Sequence, residues 1–164
     1  MGTITLTFND TDENVLEAIA ELGSDTHRDT LLMNHPSTTI RRAIAKFGNN
    51  AHRDALIEDE SAWVRAEIAI KGTTDQQDIL KNDEDDLVRR EVAYHGTNMH
   101  RRTLLKDPHY VVRECAALQS TEKQIVTLLK TEQDKGVIKA AKKRLNWLQK
   151  TQGNKRAMAK DFVI

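Results

Sequence analysis

A repeat of 24 residues constrains this chain more than any other feature. Ile40-Arg41, Val64-Arg65, Val88-Arg89 and Val112-Arg113 follow one another at that interval. Other columns keep the register. Ile44, Ile68, Val92 and Ala116 stand four residues after the first apolar position, and Ala45, Ala69, Ala93 and Ala117 come next. Gly48, Gly72 and Gly96 close three blocks, with Ser120 in the fourth place, while Leu56, Leu80, Leu104 and Leu128 form a second ladder that Leu31 extends at an interval of 25. A period between about 20 and 50 residues marks a stack of supersecondary units, none of which can bury its apolar face alone.

Each block reads as two helices. A short first helix is predicted over about 27–33, 51–57, 75–81, 99–105 and 122–131, capped by polar residues such as Asn50, Thr74 and Asn98. A longer second helix is predicted over about 36–47, 60–71, 84–95 and 108–118, with Asp59, Asp83 and Asp107 as N-caps whose carboxylates accept from unpaired amides. Trp63/Val64, Leu87/Val88 and Val111/Val112, each with an apolar residue four places on, put a stripe on one helical face. The glycines are expected to end these helices in a left-handed C-cap.

The ends depart from the pattern. Val15, Ile19 and Leu22 predict an opening helix over about 12–22, and Val137, Ala141, Leu145 and Leu148 a closing amphipathic helix over about 135–149. Ile4, Leu6 and Phe8 alternate with polar residues, which predicts a short strand over residues 3–8. A lone strand leaves its backbone groups unpaired, so this segment is expected to pair with the same segment of a second subunit or with a partner, or else to lie across the first helix as a cap. Residues 1–149 are thus read as one domain, with strand and cap in 1–24, repeats in 25–130 and the capping helix in 135–149; residues 150–164 are read as a flexible tail.

From Asp59 to Gly72, Asp83 to Gly96 and Asp107 to Ser120 the blocks follow D-x-x-x-x-V-R-x-x-V-A-x-x in outline, with a weaker copy from His35. This register resembles HEAT-like repeats, in particular the 24-residue leucine-rich repeat variant, over about residues 25–130. The resemblance implies an α-helical superhelix that presents a surface to another macromolecule. A minority of related small helical-repeat proteins, the alkylpurine DNA glycosylases, process DNA on a concave basic face; their catalytic residues have no one-by-one counterparts here. The fold class expected is therefore all-α, a right-handed α-solenoid of short HEAT-like helical repeats with a short N-terminal β-strand.

Arg41, Arg65, Arg89 and Arg113 form a ladder, and an acidic column (Asp59, Asp83, Asp107) recurs at the same period. A repeated Arg–carboxylate joint is the structural reading and a phosphate-contacting stripe the functional one. Columns that vary between blocks point to a protein-binding surface: Arg42 and Arg90 as directional donors, Ile70, Tyr94 and Leu118 as an apolar patch. Net charge is zero over the 164 residues, yet the body is acidic and residues 120–164 are basic. Lys139, Lys142, Lys143 and Arg144, close to Trp147, are the nucleic-acid candidates.

Nothing points to chemistry. His27, His52 and His100 share one column, with Gln76 interposed, and are spread along the stack instead of gathered as metal ligands. The single cysteine, Cys115, brings no base or orienting group and excludes an internal disulfide. No metal, no cofactor, no membrane span and no secretion signal are expected. The sequence therefore predicts a non-enzymatic cytoplasmic adaptor with an unidentified protein partner and a homodimer through residues 3–8. A nucleic-acid-binding protein related to DNA repair is the alternative.

Overall fold

The computed structural model describes residues 12–34 and 37–161, with side chains as far as 151. Among these residues there are eleven helices and no β-strand. This corrects the expected fold class: the described chain is all-α repeat packing without a strand component, and the segment 3–8, with the pairing expected of it, lies outside the described residues.

Contacts divide the chain into two compact units, Met1–Gln76 and Gln77–Ile164. The first holds α1 (Glu13–Leu22), α2 (Asp25–Asn34), α3 (Thr38–Phe47), α4 (Asn50–Leu56) and α5 (Ala62–Lys71). The division falls within α6 (Thr74–Leu80). The second unit holds α7 (Asp86–His95), α8 (Asn98–Leu104), α9 (Tyr110–Gln119), α10 (Glu122–Leu128) and α11 (Lys135–Asp161). Helices of seven to ten residues are marginal alone, so packing supplies their stability. In the first unit α3 packs between α1 and α5; in the second α9 packs between α7 and α11, and the short helices hairpin against them.

The repeat columns are the core. Ile40, Val64, Val88 and Val112 are at most 1 % exposed, and Ile44, Ile68, Val92 and Ala116 are fully covered. The alanine column is also fully buried, its small side chain letting neighbouring backbones approach. Both end helices join the same scheme: Leu16 and Ala20 of α1 and Val137 and Ala141 of α11 are buried on it. The apolar face expected of α1 was thus misplaced. Leu16 and Ala20 stand 24 residues before Ile40 and Ile44, whereas Val15 and Leu22 are exposed.

Four further expectations are corrected. The second helices begin about two residues later than their aspartates implied, with Ser61, Asp85 and His109 as N-caps. Asp59, Asp83 and Asp107 instead accept from the amide two residues on, at 2.9, 2.9 and 2.8 Å, which turns the chain before the helix starts. The short helices are capped by Asn49, Thr97 and Thr121, one residue before the expected positions where these can be compared. The closing glycines are extended, Gly48 at φ −71° and Gly96 at φ −72°, and no described residue has positive φ. Space, not handedness, requires glycine: a Cβ on Gly96 would stand 2.5 Å from both Val92 O and His100 Nδ1. Finally, α11 continues through residues expected to form a tail, since Gln, Lys, Arg, Ala and Met favour helix there despite Gly153.

Candidate functional site

Charged groups of the repeat are largely consumed by the fold. Arg41 makes a two-pronged pair with Asp59 at 2.6 and 3.0 Å, Arg89 with Asp107 at 2.7 and 3.1 Å, and Arg113 with Glu132 at 2.7 and 3.1 Å. Each of these arginines therefore reaches an acid 18 or 19 residues on, clamping one block to the next. The remaining prong goes backwards. Arg89 Nη1 donates to the carbonyls of Asp83 and Glu84 at 2.8 and 2.9 Å, Arg113 Nη1 to those of Asp107 and Pro108, and Arg65 Nη1 to that of Asp59 at 2.6 Å. The carboxylates raise the pKa of Arg41, Arg89 and Arg113 above the ordinary arginine value, chiefly through these hydrogen bonds.

A second arginine column, not singled out in the sequence, ties helix ends. Arg28 Nε donates to Ala20 O, Arg53 Nε to Ala45 O and Arg101 Nε to Ala93 O, at 2.8, 3.0 and 3.1 Å. Each guanidinium thereby satisfies a carbonyl that its helix leaves unpaired. The signal was present in the chain as Arg28, Arg53 and Arg101 at intervals of 25 and 48, hidden because Gln77 interrupts it.

The histidine column has a comparable role. His52 and His100 are buried; Nδ1 accepts from the backbone N–H of Asn49 or Thr97, and Nε2 faces Asp29 or Asp78 at 3.0 and 3.1 Å. An amide can only donate, so Nδ1 is the acceptor and the neutral ring carries its proton on Nε2. Gln76 reproduces this pair of functions, its Oε1 accepting from Thr73 N–H and its Nε2 donating to Asp54 at 2.7 Å. Gln124 does the same between Thr121 and Asn98. That equivalence explains why His and Gln interchange in one column.

Three of the open surfaces among the described residues carry the candidate site residues. The first is a groove of about 420 Å³ among α1, α3 and α5, lined by Glu17, Glu21, Arg42, Lys46, Phe47 and Trp63, among others. Trp63 is 59 % exposed; the Arg42 guanidinium stands 5.9 Å from its ring and is itself held by Glu67 at 2.8 Å. The second lies on the second unit, where Tyr94 is exposed, Leu118 is half-buried and Arg90 pairs with Glu91 at 2.8 Å. Ile70, half-buried on α5, belongs to the first unit with Arg42. Within the first unit no hydrogen bond, ion pair or ring contact among the described residues joins Arg42 to Ile70, and within the second none joins any two of Arg90, Tyr94 and Leu118.

The third is α11. Lys139, Lys142 and Lys143 are exposed, whereas Arg144 is engaged: its Nε donates to Ser120 O at 3.2 Å and its guanidinium stacks 4.5 Å from the Trp147 ring. Cys115, half-buried on α9, has its thiol pushed up to about 11, first by burial and then by Glu91, so it is held as the less reactive thiol at neutral pH. No group of three metal-ligating side chains occurs among the described residues, and no described helix is long and apolar enough to cross a membrane.

In comparisons with known proteins, no family model, no curated protein and no solved structure matches this chain. What stands is a generic helical-repeat fold of repeated helix hairpins, without assignment to a particular HEAT or leucine-rich-variant family.

Proposed function

We propose that the chain is a non-enzymatic protein-interaction module, acting in the cytoplasm, and that its binding surface is the α1–α3–α5 groove of the first unit. The observation that carries this reading is Trp63. A tryptophan more than half exposed beside a groove is the side chain most often found anchoring a protein interface, and a well-placed arginine is its commonest companion. Here Arg42 is held in place by Glu67, so it loses little freedom on binding. Glu17, Glu21 and Lys46 supply a rim of both signs around them, suited to orienting a partner rather than to attracting one class of charge.

The repeat's other arginines support the reading by elimination. Arg41, Arg89 and Arg113 are committed to acids of the next block, and Arg28, Arg53 and Arg101 to helix ends. They do not present a phosphate-contacting ladder.

The test is capture on immobilised full-length protein at physiological salt after nuclease treatment, followed by calorimetry with the purified protein recovered. Trp63→Ala is expected to weaken that complex by about 2 kcal/mol or more, and Arg42→Glu by a comparable amount. Recovery that nuclease abolishes, or affinity that neither substitution changes, would refute the assignment of the groove.

A further inference from the structure

Among the exposed residues of α11 are Lys139, Lys142, Lys143, Asn146, Trp147 and Lys150, with exposed Lys135 one turn earlier. Successive members are one, three or four residues apart, which places them in one stripe about 22 Å long. Residues 135–160 contain no aspartate or glutamate, and none of these five lysines has an ion pair among the described residues. The contrast with the repeats is sharp, where arginine after arginine ends on an acid or a carbonyl. Like charges three and four apart raise the energy of the helix, and a bound polyanion removes that repulsion.

Two classes of polyanion fit a row of lysines, and the far side of the helix separates them. A helix that lies on an anionic membrane needs a free apolar face. That face of α11 is already spent: Val137, Ala140 and Ala141 are buried, Leu145 and Leu148 are half-buried, and the helix packs on α9 and α10. What remains is one aromatic, Trp147, 55 % exposed, in line with the lysines and held by Arg144 against its ring. Arg144 is itself fixed by the Ser120 carbonyl. A cationic track with a rigid aromatic platform is the arrangement that takes phosphates on the lysines and an unstacked base on the ring.

We infer that the solvent face of α11 is a second binding surface, independent of the groove, and that its ligand is single-stranded nucleic acid bound without base readout. Phosphates along the strand meet Lys135, Lys139, Lys142, Lys143 and Lys150, and one base stacks on Trp147.

The experiment is fluorescence anisotropy of a labelled oligothymidylate titrated with the full chain at low and moderate salt. With five phosphate contacts, a fourfold rise in salt is expected to weaken binding about 100-fold. Trp147→Ala is expected to weaken binding about tenfold while leaving the salt dependence intact. The pair Lys139→Glu and Lys143→Glu should abolish binding, and Lys106→Glu, exposed after α8 among Lys81, Met99 and Arg102, should change nothing. Circular dichroism checks folding; if the charge reversals unfold the protein, Lys142→Gln with Lys143→Gln should instead lower the salt dependence by about two-fifths. Absence of binding even at low salt would overturn the inference. So would a duplex that binds as tightly as the single strand regardless of Trp147, or phosphatidylserine vesicles that bind more tightly than the oligonucleotide.

Discussion

Arg89 allows the inter-block joint to be weighed, because every group it touches lies in one unit. Its side chain is 13 % exposed and that of Asp107 3 %. Two hydrogen bonds run to the Asp107 carboxylate and two to the carbonyls of Asp83 and Glu84. Hydrogen bonds to charged groups contribute about 1.5–3 kcal/mol each, and removing one member of a buried pair costs about 3–5 kcal/mol because the other charge stays behind. Asp107 keeps one donor, the His109 amide at 2.8 Å, which offsets part of that loss. Arg89→Gln is therefore expected to cost about 3 kcal/mol, or roughly 6–12 °C in Tm for a chain of this size. The assay is urea unfolding followed by far-ultraviolet circular dichroism, with Asp107→Asn and the double variant completing a cycle. A coupling of about 1 kcal/mol or more is expected. A loss under about 0.5 kcal/mol in Arg89→Gln, or strictly additive single effects, would refute the joint.

Val88, fully buried in the apolar column, should lose about 1–3 kcal/mol on truncation to alanine, and a neutral result in denaturant would misplace the packing face. His100→Gln should keep most of the stability because Gln76 and Gln124 make the same pair of contacts, whereas His100→Leu should lose about 1–3 kcal/mol by orphaning the Thr97 amide; equal melting of the two variants would contradict the shared role. Glu132 is held below the usual carboxylate range, chiefly by its hydrogen bond to Arg113. Its contribution is accordingly complete above the ordinary glutamate value and lost as pH falls through the lowered folded value, so Glu132→Gln should flatten the acid side of the stability profile. An unchanged acid limb in pH-dependent melting would count against that pair. Cys115, its thiol pushed up to about 11, should react with iodoacetamide in the native protein far more slowly than after unfolding; equal rates would place it in a different environment.

The sequence exposes what recurs and hides what depends on geometry. Valine, isoleucine and alanine columns at one interval are sufficient to find the core, because each repeats the same burial. The arginine and aspartate columns share that period, yet the aspartates, which have the composition of N-caps, stand two residues too early for that role, turning the chain and meeting Arg41 or Arg89. The glycines suggest left-handed caps by composition; the actual constraint is the closeness of His52 or His100, which no local pattern reveals. Likewise a mixed column of histidine and glutamine has no common charge or shape in sequence, and only its paired acceptor and donor contacts unify it. Beside the groove the exposed side chain is Trp63, which the sequence pairs with Val64 in one apolar stripe. Neighbouring positions on a short helix differ by about 100° in direction, enough to move one of an apolar pair into solvent.

The claim that the α1–α3–α5 groove receives a protein is tested most directly by placing a photo-crosslinking amino acid at exposed Thr39, in the lining of the groove with Trp63 kept, and, separately, at exposed Ala55 of α4. Irradiation in the native cell, followed by mass spectrometry of the adducts, reads out what touches each position. The account predicts a discrete protein adduct at position 39 that Arg42→Glu or Trp63→Ala suppresses and that is missing at position 55. Adducts of equal yield and composition at both positions, or none at 39 while the chain is folded, would contradict it.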